Sequence, residues 1–170
     1  MSIPRFALAT ALALSWSVAA TAAPASKAVF EQLKSLAGDW HSTKKGSATV
    51  VNYRTIANGT TVVESWTMSP TRQSMTVYTM DGDRLLATHY CPQGNAPRLQ
   101  FTSTDASGAY RFDFLDGANL QDPEGSHEHA FRLRLEVPGA ITRSETYIRN
   151  GSRYDSARDQ GEDETFERTR

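Results

Sequence analysis

The sequence predicts an all-β protein, an antiparallel up-and-down barrel of about nine or ten strands with one short N-terminal helix. Three observations lead there. Apolar residues recur with a period of two over most of the chain, as in Tyr110, Phe112 and Phe114 against Arg111 and Asp113. Turn signals separate these runs at short intervals, notably Asn58-Gly59, Ser69-Pro70, Asp81-Gly82 and Gly94-Asn95. Helical spacing is confined to one stretch, where Val29, Phe30, Leu33, Leu36 and Ala37 fall on one face.

At the amino end, Arg5 precedes an apolar or small-residue run over residues 6–18, and Ala20-Thr21-Ala22 fits an A-x-A cleavage site. Residues 1–22 are therefore expected to be a signal peptide, and residues 23–170 the barrel domain. The run is shorter than the roughly 20 apolar residues of a bilayer span, so no membrane span is expected after cleavage and the location is expected to be periplasmic or secreted. With 18 Lys and Arg against 19 Asp and Glu, the chain has no net basic field to hold nucleic acid or an anionic membrane. Cys91 is the single cysteine, which rules out an intrachain disulfide and leaves the fold to rest on its core.

The helix begins at a Ser26 cap, carries Glu31 in its first turn and stops at Gly38. Strands follow over residues 40–44, 48–56, 60–68, 73–80, 84–91, 98–104, 109–115, 128–137, 141–149 and 164–169. Polar connections at residues 116–126 and 150–163 read as solvated loops.

Alternation assigns interior candidates. Leu99 and Phe101 oppose Arg98 and Gln100, and Phe131, Leu133, Leu135 and Val137 oppose Arg132, Arg134 and Glu136. The informative exceptions are ionisable groups in phase with the apolar set, because a charge facing a core must be paired, neutralised or hydrated. Glu64 lies between Val62 and Trp66 on such a face, with a structural ion pair to Arg54 or Arg143 as its bland explanation. His129 is two residues from Phe131 and extends the inward row, with His127 one step further out. In the strand after Asp81-Gly82, Leu85, Ala87, His89 and Cys91 share one face while Leu86, Thr88 and Tyr90 share the other, and alternation alone does not choose between them.

The stretch Leu36-Ala37-Gly38-Asp39-Trp40 resembles the calycin group, in which a short helix leads into Gly-x-Trp at the first strand. The mature chain is also similar to DUF1579-type and lipocalin-like secreted proteins in its Asp81-Gly-Asp, Thr88-His-Tyr-Cys91 and Gly94-Asn-x-Pro-Arg98 segments. The resemblance implies a β-barrel whose floor is closed by an arginine near the last strand packing over the tryptophan, here Arg168, with Arg170 in reserve, over Trp40. Some relatives bind haem through a late histidine. The last histidine here is His129, so haem would fall to His89 or His129.

Three readings follow. The leading one is an interior site for a small apolar or amphipathic molecule, lined by Trp66, Met68, Phe101, Phe112, Phe114, Phe131 and Leu133, with Glu64, His89 and Tyr90 at its polar end and His129 a further ligand-binding candidate. The second is a metal-dependent or acid/base enzyme using Glu64, His89, Cys91 and His129, with a transition metal as the cofactor. The third is an interaction module with a packed core, presenting a strand edge or the acidic loop.

Overall fold

The computed structural model describes residues 25–136, 139–155, 158–159 and 161–169, so the expected signal peptide and Val137 lie outside the described residues. Helix α1 (Ala25–Lys34) is followed by ten strands: β1 (Gly38–Ser42), β2 (Val50–Ile56), β3 (Thr61–Ser69), β4 (Arg72–Asp81), β5 (Arg84–Tyr90), β6 (Ala96–Thr104), β7 (Tyr110–Ala118), β8 (Ser126–Glu136), β9 (Ala140–Arg149) and β10 (Asp163–Arg168). Each strand pairs antiparallel with its sequence neighbours, and β1 with β10 completes a closed barrel in the register Trp40↔Arg168. Closure leaves no unpaired sheet edge.

Several boundaries differ from the expectation. β1 stops at Ser42 and β2 starts at Val50, leaving a longer loop at residues 43–49, and β7 continues to Ala118 because Arg98 pairs with Asp116. The Asn58-Gly59 turn is a short 3-10 turn with Ala57 and Asn58 both at positive φ rather than a two-residue hairpin.

The helix ends at Lys34 and the chain descends through Leu36 and Ala37, whose amides bond three residues back, before turning at Gly38. Gly38 has φ +125°, and a Cβ there would meet Arg168 Nη1 at 3.2 Å, so glycine answers both the backbone and the close approach. Val29, Phe30, Leu33 and Leu36 join the core, so α1 plugs the end of the barrel from which β1 starts. There the Arg168 guanidinium lies 4.5 Å from the Trp40 ring centre and donates to the Ala37 and Ser35 carbonyls. The Trp40 indole donates to the Leu36 carbonyl.

Above this floor the middle of the barrel is solid. Phe112 stacks on Phe131 at 4.4 Å, Tyr78 meets both edge-on, and Leu85, Leu99, Phe101 and Leu133 fill the gaps. Among the described residues no helix plugs the opposite end.

Candidate functional site

The interior carries one Arg-centred polar layer above the aromatic floor. Alternation along β9 from Ile141 turns Arg143, Glu145 and Tyr147 inward, and β3 presents Glu64 on the same side as Val62 and Trp66. Glu64 has no exposed surface, yet its two oxygens are fully engaged. Oε1 accepts from the Tyr53 hydroxyl at 2.8 Å and the Trp66 indole at 3.0 Å, and Oε2 accepts from Tyr78 and from Arg143 Nη1. The expected ion pair is therefore made with Arg143, whereas Arg54 faces solvent.

Arg143 is the hub. Its Nη1 also donates to Tyr78, Nη2 donates to Glu128 Oε1 at 3.1 Å, Nε donates to Glu145 Oε1 at 2.9 Å, and the guanidinium lies 3.9 Å from the Phe131 ring centre. Burial alone would weaken its hold on the proton, but Glu64, Tyr78, Glu145 and Glu128 more than reverse that and keep it charged. Burial, reinforced by Glu64, pushes the Tyr53 and Tyr78 hydroxyls up, so both stay donors.

Sequence parity places Glu128 outside and His129 inside, and the structure reverses both. A bulge between Glu128 and Ala130 inserts one residue into β8, so Glu128 turns in opposite Tyr147. His129 instead lies on the outer face, stacked at 5.1 Å on Phe114, hydrogen-bonded to His127 and against Tyr154. Phe114, expected in the lining, is thus engaged with the two histidines. Glu128 has no exposed surface, and its Oε2 is one of two buried side-chain atoms without a hydrogen-bond partner among the described residues. Burial, with Glu145 adding to it, pushes its carboxyl well above the usual range despite Arg143.

The two-faced strand β5 resolves toward Leu85, Ala87 and His89, which are buried, with Cys91 continuing the row. Tyr90, expected at the polar end of the site, is 49% exposed on the outer face, so that expectation is corrected. His89 Nδ1 contacts the Thr76 hydroxyl at 3.0 Å and lies 3.5 Å from Glu128 Oε2, while Nε2 lies 3.3 Å from the Tyr147 hydroxyl. Burial, with Arg143 adding to it, lowers its pKa to about 4 against the opposing pull of Glu145, so the imidazole is neutral. Burial likewise pushes the Cys91 thiol and the Tyr147 hydroxyl up. Among the described residues, no three His, Cys, Asp or Glu side chains converge in a geometry that would hold a metal ion, and His129 stands apart from His89 and Cys91.

Above this layer the barrel opens into a cavity of about 760 Å³. Trp66 and Met68 on β3 give it an apolar wall beside Arg72 and Ser74 of β4, Tyr147 and Glu145 on β9 with Glu164 on β10 give it a polar one, and Pro92 and Ser47 stand among the loop residues at the rim. Of the expected lining, Trp66 and Met68 reach the cavity, whereas Phe101, Phe112, Phe131 and Leu133 are packed in the core. Glu64 and His89 sit one layer below. Sequence reading missed Tyr147 and Glu145, although both are in phase with Ile141, and Gly161, where a Cβ would fall 2.0 Å from the Glu145 carbonyl oxygen. That contact seats the loop before β10 against the strand that carries the polar wall. The closed ten-strand barrel fits a calycin-like barrel in general, and no family model and no curated protein matches the chain.

Proposed function

We propose that this barrel binds a small amphipathic molecule at its open end, the apolar part against Trp66, Met68 and Pro92 and the polar end against Tyr147 and Glu145. The observation that carries the reading is the cavity of about 760 Å³ with walls of opposite character, a size within the range of small-molecule sites. The packed core beneath it gives the site a rigid base, since the Glu64 and Arg143 layer holds Trp66 and Glu145 directly through hydrogen bonds. The resemblance of Gly38, Trp40 and Arg168 to the calycin pattern supports the same reading. A periplasmic or secreted location belongs to the proposal and rests on Arg5, the apolar run of residues 6–18 and Ala20-Thr21-Ala22. No helix among the described residues is long and apolar enough to cross a membrane.

The test is a fluorescence titration with Nile red, an uncharged amphipathic probe. Saturable one-site binding, lost in Met68→Arg with the circular dichroism spectrum retained, is the expected outcome. Absence of saturable binding, or binding untouched by Met68→Arg, overturns the proposal.

A further inference from the structure

We infer that the polar end of the ligand is a hydrogen-bond-donating cation, of the primary ammonium or amidinium type, held by Glu145 at the inner wall of the cavity. This inference rests on the open end being the binding site. Carboxylates surround that end and the layer beneath it. Glu145 and Glu164 line the cavity, while Glu64 lies below. The single buried cation among the described residues, Arg143, has all three guanidinium nitrogens donating already, to Glu145, Glu64, Tyr78 and Glu128, and is shielded from the cavity. Buried in this way, Arg143 is out of reach of an incoming carboxylate or phosphate.

A further observation points to a donor rather than an acceptor. Glu145 bonds Arg143 through Oε1 alone among the described residues and is partly exposed at the cavity wall. Cys91 and Tyr147 at the inner wall, and His89 one layer below, carry no charge to offset the carboxylates. Basic residues do occur at the rim. Arg72 is exposed there, and Lys44 and Lys45 are exposed on the loop at residues 43–49, facing water that screens them. A charge-assisted bond to Glu145 forms in a more enclosed setting and is correspondingly stronger.

The experiment compares n-octylammonium, octanol and octanoate, which share one chain and differ in the head group, by calorimetric titration of the unaltered protein at neutral pH. Octylammonium is expected to bind about tenfold more tightly than octanol, and octanoate more weakly than octanol. Glu145→Gln is expected to abolish most of the preference of octylammonium over octanol. Octanoate binding as tightly as octylammonium, or a preference unchanged in Glu145→Gln, overturns the cation inference and leaves the open end as the site. Failure of all three to bind, together with failure of Nile red, overturns both. The head-group comparison on the unaltered protein stands even if the variant does not fold.

Discussion

Arg143 Nη1 donates to Glu64 Oε2 at 3.1 Å across the barrel interior, joining β9 to β3, two strands that share no edge. The pair stands between the aromatic core and the open cavity, and its hydrogen bonds reach Trp66 on one wall and Glu145 on the other. Removing one partner of such a pair leaves a buried charge uncompensated, which costs far more than the pair contributes. Arg143→Met is therefore expected to lower stability by about 3–5 kcal/mol in urea unfolding. Arg143→Met with Glu64→Gln is expected to cost less than the two single changes together. A cost for Arg143→Met typical of an exposed ion pair, under about 1 kcal/mol, would contradict the arrangement.

His89 supplies a pH dependence with a definite sign. Its folded pKa, about 4, lies below the ordinary 6.5, so the unfolded chain takes up the proton first as pH falls. The contribution of neutral His89 is full above pH 6.5 and is lost as pH drops toward about 4, with a slope of at most roughly 1.4 kcal/mol per pH unit. His89→Gln should flatten that part of the stability profile. In an NMR titration the His89 ring should stay neutral until about pH 4, and a midpoint near 6.5 would show it open to water.

Glu128 acts in the opposite direction. Its carboxyl is held above the usual range, so the folded state keeps a proton that the unfolded chain releases, and stability is lost as pH rises through the folded pKa. Glu128→Gln, uncharged at every pH, should remove this alkaline decline. Identical stability profiles above pH 5 for the variant and the unaltered protein would show that Glu128 is not buried as described.

Arg168 is exposed, yet it has three partners at the barrel floor: the Trp40 ring and the Ala37 and Ser35 carbonyls. Arg168→Ala should destabilise by about 1–2 kcal/mol, and Arg168→Lys should recover only part, because an ammonium lacks the planar fork that serves both carbonyls and the ring. Full recovery in the lysine variant would reduce the contact to simple charge.

Much of this architecture was legible in the amino-acid string, because alternation is a local property. Phe112, Phe131 and Leu133 face inward as their period requires, and Glu64 stood out by being charged in an apolar row. The candidate site was less legible. One extra residue between Glu128 and Ala130 exchanges the faces of Glu128 and His129, and nothing in the composition of that segment marks a bulge. Tyr147 and Glu145 are in phase with Ile141, but a strand reading Ile, Arg, Glu, Tyr on one face does not declare itself inward. The rim, with Pro92 and Ser47 on loops and Arg72 at the start of β4, is assembled from segments far apart in sequence. Arg143 became central only when closure brought β9 opposite β3.

The most direct test of the account uses the indoles of Trp66 and Trp40, which sit at opposite ends of the barrel. Trp66 lines the open cavity, and Trp40 is buried at the floor beneath Arg168. Their Nε1–H resonances, assigned by substitution, can be followed by NMR as octylammonium is added. The account predicts a saturable shift of the Trp66 resonance while that of Trp40 stays fixed. A shift confined to Trp40, or no saturable shift at either indole, would contradict binding at the open end.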